Sequence, residues 1–231
     1  MINFEDCKFM SLGGNCTNIY LLGWKNRLKG PIDNVLIEKV GAIQLLLENN
    51  YYNYVKNKPV KLTPKAPQGN DPLFSSSYFA GMTMLHNDPK TEKYLNELKT
   101  RIEVFNQFYT ELKQPKNNNF FIFVLNNRTN YYGQKTLRGT LLIDILEYLK
   151  KLKILNKVIF IGTSEDPALK LTWSYYNYSL NMKDLDKLQT TYNLNYFEVN
   201  NLNLETQEGK LAAAKQFKNS FINWAKRKDL D

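Results

Sequence analysis

The sequence predicts an α/β fold: a single three-layer domain over residues 1–231, with a mainly parallel sheet and helices on both faces. Three observations predict it. Short, almost uninterrupted apolar runs recur along the chain, as strands buried on both faces require. Longer stretches between them repeat their apolar residues every three or four positions, the helical period. The two patterns alternate, as they do where helices cross between parallel strands.

In chain order, residues 8–12 form the first strand candidate and lead into Gly13-Gly14. Residues 35–47 carry a helical pattern interrupted at Gly41. Residues 58–77 hold Pro59, Pro64, Pro67 and Pro72, four of the chain's eight prolines, and end in Ser75-Ser76-Ser77. Fixed dihedrals and missing donors predict a long surface loop there, of a kind that often covers a site. Residues 78–85 are the second strand candidate and stop at His86. Tyr94, Leu98, Ile102, Phe105, Tyr109 and Leu112 then form a helical stripe. The run FFIFVL at 120–125 is the third strand, ending at Asn126-Asn127-Arg128. Leu141, Ile145, Tyr148, Leu149 and Leu152 make the next helix, and residues 157–161 the next strand, which ends at Gly162-Thr163-Ser164. Residues 195–199 suit an edge strand. Leu211, Ala214, Phe217, Phe221 and Trp224 close the series as an amphipathic helix.

Composition narrows the function. Hydrophobic content of 43% with 13% aromatics supports a packed core and excludes a disordered chain. No apolar run reaches membrane-spanning length, and Glu5 and Asp6 argue against a secretory leader. Two cysteines offer no disulfide framework, so a reducing, cytoplasmic setting is expected. The net charge of +9 is spread over clusters such as Lys25, Arg27 and Lys29, and Lys226, Arg227 and Lys228. These read as solvated helix faces and ends. There is no nucleic-acid motif and no zinc-ligand spacing, so neither nucleic acid nor a metal or other cofactor is expected. Nothing in the pattern sets the oligomeric state.

The residues with chemistry to offer are few. Ligands of open α/β sheets bind beyond the carboxyl ends of the strands, so polar residues that follow each strand are expected to share one rim. Those are Asn15 and Cys16, His86 and Asp88, Asn126 and Arg128, and Thr163, Ser164 and Asp166. Cys16 follows a Gly-Gly turn, where backbone N–H groups and a helix N-terminus favour a thiolate, and His86 is the chain's one imidazole. A nucleophilic Cys16 with His86 as its base is therefore the leading candidate pair. Gly14 and Asn15 would hold a developing oxyanion, and Asn126 and Arg128 would contact substrate. Asp88 and Asp33 are both candidates for the acid behind the imidazole. Cys7, with no acid or histidine at a useful spacing, reads as structural. Tyr51, Tyr52 and Tyr54 suit helix-end packing.

The segment Phe9-Met10-Ser11-Leu12-Gly13-Gly14-Asn15-Cys16, followed by Tyr20-Leu21-Leu22 and Gly30-Pro31-Ile32-Asp33, resembles a bacterial family described as papain-like cysteine peptidases. Its members carry an SLGxxC motif, a PFDW element, a later HD element and an R-I-x-R-F-like helix. Leu85-His86-Asn87-Asp88 stands in the HD position and Arg101-Ile102-Glu103-Val104-Phe105 in that helix, so the resemblance covers roughly residues 8–165. Pro31 and Asp33 of the PFDW element are kept, with Ile32 and Asn34 at its aromatic positions. The resemblance implies Cys16 and His86 as the catalytic pair. The expected function is a thiol-dependent hydrolase, a cysteine peptidase or amidase, acting on a peptide, amide or glycoconjugate. The alternative is a glycosyl- or acyltransferase, or a binding protein for a phosphorylated sugar or nucleotide, using Gly13-Gly14 and Arg128. A scaffold that binds a partner through the Pro-rich loop is the third reading.

Overall fold

The computed structural model describes residues 2–13, 27–33, 35–37, 40–57, 61–63, 73–76, 82–85, 91–126, 138–165, 182–202 and 206–228. Five strands form an all-parallel sheet: β1 (Lys8–Ser11), β2 (Arg27–Leu28), β7 (Asn119–Asn126), β8 (Val158–Glu165) and β9 (Asn195–Leu202). Their order across the sheet is β2-β1-β7-β8-β9. Phe9 pairs with Phe120, Phe121 with Val158, and Phe160 with Tyr196.

Why these runs become central strands follows from what covers them. Phe120, Phe121, Ile122, Phe123 and Val124 are all buried, although side chains alternate between faces along a strand. Phe121, Phe123, Phe160 and Met10 face one hydrophobic cluster; Phe9, Phe120, Ile122, Val124, Ile159 and Ile161 face another. The first cluster is closed by α1 (Gly41–Leu47), α2 (Tyr51–Asn57), α3 (Glu92–Leu112) and α4 (Arg138–Lys151), with Leu188 and Tyr192 of α5 (Met182–Tyr192) packed against it. The second is closed, among the described residues, by α6 (Gln207–Lys228) and Phe4 of a 3-10 turn over Phe4–Asp6. Helices on both faces of a parallel sheet make the expected three layers.

Local signals fix the helices. The Thr91 hydroxyl accepts from the Tyr94 amide at 3.3 Å and caps α3, whose Leu98, Ile102, Phe105, Phe108 and Leu112 are buried at helical spacing. In α6 the buried stripe is Ala213, Phe217, Phe221, Trp224 and Ala225, whereas Leu211 is exposed. Phe4, Phe9, Phe120, Phe197, Phe217, Phe221 and Trp224 form a network of tilted and edge-on rings with centroids 5.3–6.5 Å apart. Buried Asn195 ties three elements together. Its Nδ2 donates to Asn156 O at 2.9 Å, and its Oδ1 accepts from Trp224 Nε1 at 3.2 Å. At the outer edge of β9, Gln216 of α6 acts as a substitute strand. Its Oε1 accepts from the Asn200 amide at 3.1 Å and its Nε2 donates to Asn200 O at 3.0 Å.

Two residues past the end of α4, Lys153 takes φ 58°, with Ile154 N–H donating to Leu149 O at 3.1 Å and Lys153 N–H to Lys150 O at 2.9 Å. This pairing satisfies the last carbonyls and seats Ile154 in the core.

Three features differ from the sequence expectation. Residues 35–37 are a strand, β3 (Val35–Ile37), and the helix begins only at Gly41. The Pro-rich segment contains β4 (Lys61–Thr63) and most of its serine run lies in β5 (Leu73–Ser76). The strand expected at 78–85 is β6 (Met82–Leu85), and it lies outside the parallel sheet. These four short strands form a second, antiparallel sheet of order β3-β6-β5-β4. Three- and four-residue apolar runs carry too little periodicity to reveal their partners.

Candidate functional site

The carboxyl end of β1 starts the site. Leu12 N–H still reaches Ile122 O at 2.8 Å, and then the chain turns at Gly13, whose φ of 115° suits glycine alone. The buried Ser11 hydroxyl accepts from the Gly13 amide at 3.2 Å. Gly14, Asn15 and Cys16 follow and lie outside the described residues, as do His86, Asp88 and Arg128. Asn126 is the last residue of β7, in register with Thr163 of β8. His86 follows β6, so the shared-rim argument, which assumed one parallel sheet, does not extend to it.

Beside β1 the short β2 runs parallel and passes into Gly30-Pro31-Ile32-Asp33, all buried. Gly30 permits this close approach. A Cβ there would lie 3.1 Å from Met10 Cγ, 3.4 Å from Asp33 Oδ1 and 3.5 Å from Ser11 O. Asp33 is thereby held against the end of the strand that leads to Cys16. Its side chain is 2% exposed and that of Arg27 is 8% exposed, and Arg27 Nη2 donates to Asp33 Oδ2. Burial pushes the Asp33 carboxyl above its ordinary value; the Arg27 guanidinium, the Gly30 backbone and Arg101 oppose it.

Arg101 comes from α3. Its Nη1 donates to Gly30 O at 3.4 Å and its Nη2 to Glu97 Oε1 at 2.5 Å. Tyr94, two turns earlier on α3, is pushed up to about 12 by burial, against the pull of Arg101. Tyr51 at the start of α2 is 1% exposed, and burial together with Tyr94 raises its phenol well above the ordinary value.

Of the residues expected at the site, Asp33 is the one whose side chain falls among the described residues, and it is brought to the end of β1. Arg27, read from sequence as part of a solvated basic cluster, is buried on β2 and paired. The signal available for it was an arginine six residues from an aspartate across a Gly-Pro turn. Cys7 is structural, as expected. Its Sγ donates to Asn3 O at 3.1 Å, and burial, with Asp6 nearby, pushes the thiol up to about 12, which leaves no thiolate for chemistry at neutral pH. Among the described residues no group of three His, Cys, Asp or Glu side chains could hold a metal ion, and no helix is long and apolar enough to cross a membrane.

Comparison with protein-family models, with curated proteins and with solved structures gives no match.

Proposed function

We propose that the chain is a thiol-dependent hydrolase of the cysteine peptidase or amidase kind, with Cys16 as nucleophile, His86 as base and Asp33 as the acid behind the imidazole. One observation carries the choice of acid. β3 and β6 pair antiparallel with Val35 opposite Met84 and Ile37 opposite Met82. The end of β3 that follows Asp33 in sequence is thus the end paired with the part of β6 that leads to His86. That connectivity, with the burial of the Asp33 carboxyl in the grip of Arg27, is the support for Asp33 as the acid. Its support at the other end is the packing of the Gly30–Asp33 turn on β1, five residues before Cys16.

In this reading the Cys16 thiolate adds to the substrate carbonyl carbon, and amides near Gly14 and Asn15 receive the oxyanion. The imidazolium of His86 protonates the departing amine. Water, deprotonated by His86, then cleaves the thioester and returns the free thiol. Asn126 and Arg128 hold the substrate. Arg27 fixes the Asp33 carboxylate in place, and Asp33 fixes the ring.

Alkylation of Cys16 by iodoacetamide across pH 5–9 tests the reading. A reactive thiolate well below the ordinary thiol pKa of about 8.5 is expected, lost in His86→Ala. A Cys16 that reacts no faster than in urea-unfolded protein, with no response to His86→Ala, sinks it.

A further inference from the structure

The end of the parallel sheet opposite the Gly13 turn carries a charge pattern that the proposed chemistry does not use. There the amino ends of β1, β7 and β8 lie side by side, with Lys8 in register with Asn119 and Phe121 with Val158. Two turns lead into the central strands, residues 113–118 from α3 and residues 152–157 from α4. Lys157 ties them together, its Nζ donating to Asn117 O at 2.5 Å. Around this seam stand Lys8, Lys113, Lys116, Lys150, Lys151 and Lys153, all exposed. Lys8 is paired with Glu111 at 3.1 Å; among the described residues the other five have no carboxylate partner. Neighbouring acids are engaged elsewhere, Glu147 by the Tyr192 hydroxyl at 2.5 Å and Glu5 by Lys218.

Two of these lysines sit against backbone preference. Lys116 has φ 64° and Lys153 φ 58°, a region that the described non-glycine residues otherwise enter only at Asn49 and Asn193. Glycine is the least strained residue there, and asparagine the usual substitute. Lysine at both turns therefore costs stability while it adds charge to one surface, and strain kept in this way points to a use for the side chain. Lys150 and Lys151 also offset the carboxyl-end dipole of α4, but Lys116, four residues past the end of α3, lies beyond that effect.

We infer that this lysine face seats the protein on an anionic phospholipid surface, with the carboxyl ends of the strands turned away from it. The inference is independent of the catalytic reading. Lipid is favoured over nucleic acid by the make-up of the face. It is built from turns and helix ends, with no helix or strand projecting to enter a groove. All six groups are lysines, point charges on flexible stems that suit a plane of headgroups, and not planar forks for phosphate or base edges. The rings beside them, Tyr109 and Tyr192, are met by Lys113 Nζ at 3.7 Å and Lys150 Nζ at 5.5 Å from their centroids, and so are not held open for a base to stack on.

Flotation of the full chain with phosphatidylcholine vesicles, with and without about 30 mol % phosphatidylserine, tests this. Binding is expected only with the anionic lipid, and is expected to weaken as salt shortens the Debye length. A lysine near such a surface contributes about fivefold in affinity, so Lys116→Gly with Lys153→Gly is expected to bind roughly 25-fold more weakly. The same pair unfolds at an equal or higher temperature, because both strained positions are relieved. Lys150→Gln with Lys151→Gln, on the exposed last turn of α4, is expected to lose a similar factor. Lys93→Gln with Lys99→Gln removes as much charge from α3, roughly 20 Å or more from the seam, and is expected to stay within about twofold of wild type. The inference falls if phosphatidylserine adds nothing to binding, if both seam variants bind as wild type does, or if the α3 pair weakens binding as much as they do. A duplex RNA that binds more tightly than the vesicles at the same salt, and is released by the same seam variants, would overturn it in favour of nucleic acid.

Discussion

Arg27 and Asp33 stand six residues apart across the Gly30-Pro31 turn and join their charges where both side chains are more than nine-tenths buried. A pair in that position is far more sensitive to losing one member than to losing both. Arg27→Met leaves a carboxylate in an apolar setting, and Asp33→Asn leaves a guanidinium. Each is expected to cost about 3–5 kcal/mol, while the double change Arg27→Met with Asp33→Leu costs clearly less than the sum. Urea unfolding of the three variants measures this. Single changes costing less than about 1 kcal/mol would mean that the pair behaves as a solvated surface bridge.

Cys7 sets an alkaline limit to stability. Its thiol rises from 9.0 to about 12 in the folded chain, so the folded state holds that proton more tightly than the unfolded one. Stability is therefore intact below pH 9 and falls as pH climbs from there toward 12. Tyr94 adds a decline of the same sign, starting from 10.0. Between pH 9 and 10 the Cys7 contribution dominates this pair. Unfolding free energies for wild type and Cys7→Ala over that interval are expected to diverge in slope, with the variant flatter. Parallel slopes would contradict the assignment.

Lys153 occupies a left-handed conformation that an L side chain adopts at a cost of about 1–2 kcal/mol. Lys153→Gly relieves this while keeping the two bonds that close α4. Net of the extra freedom gained by the unfolded chain, it is expected to raise stability by roughly 0.5–1 kcal/mol in chemical denaturation. A loss of stability would show that the lysine side chain contributes more there than its backbone strain costs.

The parallel sheet was legible in sequence because its central strands are long and wholly apolar. Phe120–Val124 admits few readings other than a strand buried on both faces, and the Leu98–Leu112 stripe gave α3 through its spacing. The antiparallel sheet was hidden for the opposite reason. Val35, Leu36 and Ile37 fit a helix pattern as well as a strand when followed by Ala42, Ile43 and Leu46. Pro64, Pro67 and Pro72 mark a segment as loop without revealing that Lys61–Thr63 and Leu73–Ser76 pair across it. At the site, the chemistry of Asp33 was visible in its residue type. Its burial was not, because that depends on Gly30 closing against Met10 and Ser11, a contact between segments nearly twenty residues apart. Arg27 escaped because β2 is two residues long and flanked by lysines.

Among the described residues, one face of the five-stranded sheet is covered chiefly by α6, which follows all five strands in sequence. Phe9, Phe120, Ile159 and Phe197 gain their ring partners Phe217, Phe221 and Trp224, or the helix packing around them, only when that segment arrives. A ribosome that has delivered β1, β7, β8 and β9 still holds a sheet with its aromatic side bare. The nascent chain is thus expected to expose aromatic surface until the 22 residues of α6 emerge and cover it.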